Sequence, residues 1–172
     1  MIMDTLAGLA FSYEPPLEEY LKEQPKAKNE KIMNRYMINE IIVSGLYSAT
    51  LCLLFLKVPL FANFFRSSAD NRYLMTAFFG LFIFIGIFNS FNARTFRINL
   101  LSHILENKVF LITFMFIIII QIYLIYFGGN LFRTAGLTLK ELEIMLLLAF
   151  SIIPVDFLRK LILRIKGRKD GV

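Results

Sequence analysis

The chain has 172 residues, 57% of them hydrophobic, with a mean hydropathy of +0.62 and a formal net charge of +6. An ordinary soluble domain is less apolar than this, and the 19 phenylalanines fall mostly in long uncharged runs, so the composition points to a membrane protein. The basic residues flank those runs, a pattern of bilayer orientation and not of nucleic-acid binding.

The first segment, residues 1–12, makes a helix only ~18 Å long at 1.5 Å per residue, short of the ~30 Å hydrocarbon core. It reads as the second half of a transmembrane helix. With Asp4 in place of a basic leader and no Ala-x-Ala-like end, it does not read as a signal peptide. Residues 13–36 mix Glu14, Glu18, Glu19, Glu23 and Glu30 with Lys22, Lys26, Lys28, Lys31 and Arg35. Pro15, Pro16 and Pro25 forbid a long helix there, so this is an aqueous loop. Ile41 to Leu56, extended by Met37 and Ile38, is the first full span, closed by Lys57 and Pro59. A polar stretch, Arg66 to Arg72, leads to a second span, Tyr73 to Ala93. A connection with Arg94, Arg97, His103, Glu106 and Lys108 leads to the third, Val109 to Phe127. Gly128-Gly129-Asn130 reads as a turn. The last candidate, Ile144 to Val155, spans only when extended to residues 139–163, with a kink expected at Pro154.

The fold expected is therefore all-α: a polytopic membrane bundle of half a transmembrane helix (1–12), a cytoplasmic loop (13–36), a four-helix transmembrane region (37–163) and a basic tail (164–172). The 13–36 loop, the 94–108 connection and the C-terminal stretch from Arg159 hold fourteen of the 19 Lys and Arg residues. That side is expected to be cytoplasmic, the C-terminus included. Neither a repeat nor an inverted pair of segments indicates a secondary transporter.

Few residues in the spans can carry chemistry. An ionisable group within a membrane segment is a functional-site candidate, and a carboxylate is a hard oxygen ligand suited to calcium or magnesium. Asp4 qualifies, with capping of the helix Thr5 to Phe11 as the plainer alternative. Ser44, Gly45, Ser48 and Ala49 set small residues four apart, a close-packing face for another helix. Gln121 reads as an interhelical hydrogen bond. Asn89 and Asn92 form a possible polar pair near a pathway, with helix-end capping and packing as the alternative. Asp156 has Arg159 and Lys160 three and four residues on, the spacing of helical salt bridges. The single cysteine, Cys52, allows no disulfide within the chain and reads as a packed thiol. The basic tail suits anionic lipid headgroups.

The stretch Ile2-Met3-Asp4-Thr5-Leu6-Ala7-Gly8-Leu9-Ala10, followed by Glu14-Pro15-Pro16, resembles the sixth transmembrane helix of calcium-pumping P-type ATPases of the plasma-membrane and bacterial type. Lys22 to Asn29 with Pro25 is similar to the loop after that helix. Phe88-Asn89-Ser90-Phe91-Asn92-Ala93-Arg94 is similar to the F-N-x-x-N-A-R end of the eighth helix, and Pro154-Val155-Asp156 to the middle of the tenth. The likeness covers nearly the whole chain. It implies that Asp4 is a calcium ligand, that the companion Asn of the family falls just before Met1, and that Ser44 to Ala49 pack against the fifth helix. Pumps that move two calcium ions carry a glutamate three residues before the position of Asn89. Gly86 stands there, which implies a parent with one calcium site.

The family's D-K-T-G-T phosphorylation motif, its T-G-E motif and its G-D-G-x-N-D hinge do not occur in this sequence. The resemblance therefore implies a C-terminal membrane piece of a calcium pump, supplying scaffold helices and one ion ligand, without enzymatic activity as this chain alone. Its partners are expected to be the bilayer and the remainder of the pump, whose phosphorylation domain meets the 13–36 loop, and no nucleic acid. Calcium is the implied cargo, with ATP and magnesium used by the parent, in a bacterial plasma membrane. The alternatives are a stand-alone small membrane protein that binds and regulates a transporter and, with less support, an independent channel.

Overall fold

A computed structural model describes residues 2–15, 33, 35–68, 70–94 and 104–169. Most of the 13–36 loop, the stretch 95–103 with Arg97 and His103, and the last three residues lie outside the described residues. The described residues form eight helices: α1 (Ile2–Ser12), α2 (Arg35–Lys57), α3 (Pro59–Ala62), α4 (Arg72–Ala93), α5 (Lys108–Phe127), α6 (Gly129–Phe132), α7 (Leu139–Phe150) and α8 (Ile152–Lys169). No strand occurs among the described residues.

Three helices, α2, α4 and α5, of 23, 22 and 20 residues, are long and apolar enough to cross a membrane. The last expected span is two helices, broken at Ser151 and not simply kinked at Pro154. The proline explains the position. It lacks an N–H, and within a continuous helix its ring would collide with the carbonyl four residues earlier, that of Phe150. Ending α7 at Phe150 puts Pro154 in the first turn of α8, where an N–H needs no helical partner. Ser151 donates its hydroxyl to the Leu148 carbonyl and lies 2.6 Å from the Tyr47 hydroxyl, which ties the break to α2. The helix then runs to Lys169, so the basic tail continues α8 over most of its length.

The hub is α4, which packs against α7, α2, α8 and α5, while α1 lies on α5. Lipid tails are as apolar as leucine, so close van der Waals fit takes over the role that burial from water plays elsewhere. Gly80 shows this fit. A Cβ there would lie 3.1 Å from Met145 Cε and 3.3 Å from Ile125 Cδ1, so the missing side chain lets α4 approach both α7 and α5. Two aromatic clusters fill the remaining gaps. Phe110 packs against Phe114 with the rings tilted and centroids 4.4 Å apart and meets Phe91 edge-on at 5.1 Å, and Phe11 of α1 joins them at 5.8 Å. Phe55 meets Phe65 edge-on at 5.5 Å below the α2–α3 turn. Such pairs add about 0.5–1.5 kcal/mol each beyond area burial. Leu46, Leu53, Phe82, Ile112, Ile119 and Leu147 are exposed on the outside of the bundle, the apolar surface of an all-α membrane bundle.

The turn expected at Gly128 is set by steric need. A Cβ at Gly128 would collide with the Leu124 carbonyl oxygen and come within 2.6 Å of Thr134 Oγ1, which itself donates to that carbonyl at 2.8 Å. Gln121 is buried in α5, but its Nε2 has no hydrogen-bond partner among the described residues, so it does not supply the interhelical bond expected of it.

Candidate functional site

Asp4 lies in α1, near its start; its side chain is outside the described residues. What the structure details is how α1 is held. Glu14, two residues past the helix end, receives Arg94 Nη1 at 2.7 Å on one carboxylate oxygen and Asn107 Nδ2 at 2.7 Å on the other. Asn107 also donates to the Ala10 carbonyl at 3.1 Å, and its Oδ1 accepts the Phe110 amide at 2.8 Å as the N-cap of α5. One asparagine thus closes the end of α1 and opens α5. The Arg94 side chain is 1% exposed, so its charge is compensated by protein groups rather than by water. Two of the motifs read from the sequence, Glu14-Pro15-Pro16 and the arginine ending the Phe88 to Arg94 stretch, meet here. The pairing spans 80 positions and no local pattern announces it, although Asn107 before an apolar run carries the ordinary signal of a helix start.

The small-residue face of α2 has two parts. Ser44 is buried and, like Ser48, returns its hydroxyl to the carbonyl four residues back, at 2.6 and 2.7 Å. Gly45, Ser48 and Ala49 line an open groove of about 430 Å³ with Cys52, Phe82, Gly86 and Asn89, the last three from α4 apart from the thiol. A Cβ on Gly45 would meet nothing within 4 Å. Asn89 and Asn92 have different surroundings. Asn89 faces this groove, and its buried Oδ1 has no partner among the described residues. Asn92 is buried and donates to the Ile152 carbonyl at 3.3 Å.

The ion pairs expected along α8 form, and they extend to other helices. Asp156 takes Arg159 Nε at 2.6 Å on one oxygen and has Lys160 Nζ at 2.9 Å from the other. Lys160 also donates to the Asn92 carbonyl at 2.8 Å, joining α8 to α4. Arg159 Nη2 lies 3.4 Å from Glu40 and 3.3 Å from the Tyr36 hydroxyl, joining α8 to α2. Two carboxylates and two cations balance, which is the condition for keeping charge inside a membrane protein.

At the opposite end, Glu141 of α7 is buried and grips Arg66 through its amide at 2.8 Å, Nε at 3.2 Å and Nη2 at 3.0 Å. The same carboxylate completes a capping box with Thr138. Hydrogen bonding to Glu141 raises the Arg66 pKa above its ordinary value. Among the described residues no group of three or more His, Cys, Asp or Glu side chains could hold a metal ion.

Residues 1–162 match the family described as cation transporting ATPase, C-terminus. The chain is 31% identical over 162 residues to the plasma membrane calcium-transporting ATPase mca-1 of Caenorhabditis elegans, covering 88% of this chain and 13% of that protein. It is 31% identical over 176 residues to calcium-transporting ATPase PAT1 of Dictyostelium discoideum, covering 95% and 16%. With plasma membrane calcium-transporting ATPase 4 of Homo sapiens it shares 30% over 151 residues, covering 82% and 12%. The chain therefore spans about an eighth to a sixth of the length of these relatives.

Proposed function

Because the chain belongs to the family of cation-transporting ATPase C-terminal regions, we propose that it is the C-terminal membrane part of an ATP-driven calcium pump and works only together with the pump's remaining helices and catalytic domains. Its α2–α8 bundle is scaffold. Its α1 presents Asp4 as one oxygen ligand to the transported calcium, and the remaining ligands come from the rest of the pump, since calcium takes six to eight oxygens. ATP and magnesium are used by those other domains. With Gly86 offering no side chain, one calcium ion moves per cycle. The basic side, C-terminus included, faces the cytoplasm of a bacterial cell.

The observation that carries this reading is the docking of α1. The C-terminal end of α1 is fixed to α4 and α5 by Glu14, Arg94 and Asn107. Such an anchor gives a ligand-bearing helix a defined position. The groove of Gly45, Ser48, Ala49 and Asn89 is where a further helix of the pump packs, small residues permitting close approach.

The test is a chimera in which this chain replaces the matching C-terminal region of a calcium-transporting relative, assayed for ATP-driven calcium uptake into membrane vesicles. The expected result is uptake that survives the exchange and an apparent calcium affinity that falls at least about tenfold, or about 1.4 kcal/mol, with Asp4→Ala. Unchanged affinity would remove Asp4 from the ligand set. In the same chimera Gly45→Leu should block uptake by filling the groove. The isolated chain's melting temperature should stay as it was, since none of the described residues comes within 4 Å of a Cβ at Gly45. A fall in the isolated chain's melting temperature would show that the groove belongs to the chain's own packing.

A further inference from the structure

Between α2 and α8 lies a second groove, about 320 Å³, lined by Asn39, Val43, Val155, Leu158, Arg159 and Ile162. Its walls are otherwise aliphatic, and Asn39 and Arg159 are its two polar residues. Arg159 is 5% exposed. A guanidinium has five N–H donors in a fixed fork, and the chain engages only part of this one: Nε goes to Asp156, Nη2 to Glu40 and Tyr36. Nη1 is buried and has no hydrogen-bond partner among the described residues; neither has Asn39 Oδ1. In hydrocarbon an unpaired donor of this kind is costly.

We propose that the α2–α8 groove binds one anionic phospholipid with a hydroxylated headgroup, an acyl chain lying along Val43, Val155 and Leu158 and the phosphate accepting from Arg159 Nη1. The charge balance favours an anion. Glu40, Asp156, Arg159 and Lys160 cancel among themselves, while α8 runs on through Arg164 and, in sequence, Lys166, Arg168 and Lys169. The depth also fits. Arg159 is five residues from Arg164, roughly 7–8 Å along the axis, and Asn39 is in the second turn of α2. With Arg164 taken at headgroup level, Arg159 and the Asn39 that shares its groove fall where hydrocarbon gives way to glycerol and phosphate. Phosphate oxygens match the guanidinium fork, and a headgroup hydroxyl donates to Asn39 Oδ1. Phosphatidylglycerol offers both.

The experiment is native mass spectrometry of the purified chain in detergent, titrated separately with phosphatidylglycerol, phosphatidylethanolamine and diacylglycerol. One phosphatidylglycerol per chain should be retained at least tenfold more tightly than either of the others. Val43→Trp, which fills the groove without touching the ion pairs, should reduce that retention about tenfold. Arg159→Lys should reduce it too, since it keeps the charge and removes the free fork. If Val43→Trp lowers the melting temperature, Ile162→Trp fills the other end of the groove and replaces it. Equal retention of phosphatidylglycerol and diacylglycerol overturns the proposal, as does retention untouched by both groove-filling variants. A dimer that these variants abolish overturns it as well, by showing a second copy of the chain in the groove.

Discussion

Asp156→Ala should destabilise the chain by roughly 3–5 kcal/mol, the cost of leaving buried charge without its partner. Asp156 is 3% exposed, and it neutralises two side chains, Arg159 and Lys160, that are 5% and 2% exposed. Without it Lys160 loses its nearest carboxylate and retains the neutral Asn92 carbonyl, and Arg159 retains Glu40 at 3.4 Å and the Tyr36 hydroxyl. The loss is not local, because these contacts help tie α8 to both α4 and α2. Asp156→Asn keeps the shape and loses the charge, so it should fall nearly as far. Removing the pair together is different. Asp156→Leu with Lys160→Met replaces two ions by apolar groups, and Arg159 retains Glu40, so most of the stability should return, as it does for buried pairs replaced by hydrophobic residues. Denaturant titration in detergent micelles measures all three. An Asp156→Ala variant within about 0.5 kcal/mol of the parent would mean that water reaches these charges, and the same result would weaken the case for an unpaired Arg159 donor in the neighbouring groove.

Those ion pairs mark the boundary of what the sequence discloses. Three helices were legible because an uncharged run of about 20 residues has one physical outcome in a membrane, and α2, α4 and α5 end within a few residues of where the charges begin. The spacing of Asp156, Arg159 and Lys160 disclosed their pairing because a helix brings positions three and four apart together. The same three charges made the last span look weak. Hydropathy counts each ion as a cost, although here they cancel against one another and against Glu40. Pro154 was legible as a perturbation, but its clash acts on the carbonyl four residues back, so the break falls at Ser151. Contacts between distant segments left no local trace. Nothing around Glu14 indicates that Arg94 will meet it, and nothing around Asn39 indicates the groove beside it. The small face of Ser44 to Ala49 was legible as a packing surface, while its division into buried Ser44 and open Gly45 depends on how α4 lies across it.

Glu14→Ala should release α1 while the rest of the bundle stays folded. The carboxylate is about a quarter exposed, its side chain at 27%, against 1% for Arg94. Screening therefore makes the pair weaker than a fully buried one, and a loss of about 2–3 kcal/mol is expected, set mainly by taking the Glu14 carboxylate away from the buried Arg94 charge. Asn107 stays in place as the α5 cap and as a donor to Ala10, and Phe11 keeps its contact with Phe110, so α1 should open more often and not detach for good. Glu14→Gln should fall between parent and Ala, since an amide oxygen can still accept from Asn107. A probe on α1 separates this from global unfolding. In a Cys52→Ala background, Ala7→Cys places a thiol on the nearly buried face of α1; its labelling rate should rise at least tenfold with Glu14→Ala, while the melting temperature set by α2, α4 and α8 changes little. Unchanged labelling would show that the Asn107 bond to Ala10 and the aromatic packing hold α1 without Glu14. The consequence for transport follows from position. Glu14 lies ten residues beyond Asp4 and in the chimera cannot share an ion with it on one helix face, because α1 ends between them. A fall in apparent calcium affinity on Glu14→Ala, matched by the rise in Ala7→Cys labelling across the Ala, Gln and parent series, would therefore report the positioning of the ligand helix and not the loss of a ligand.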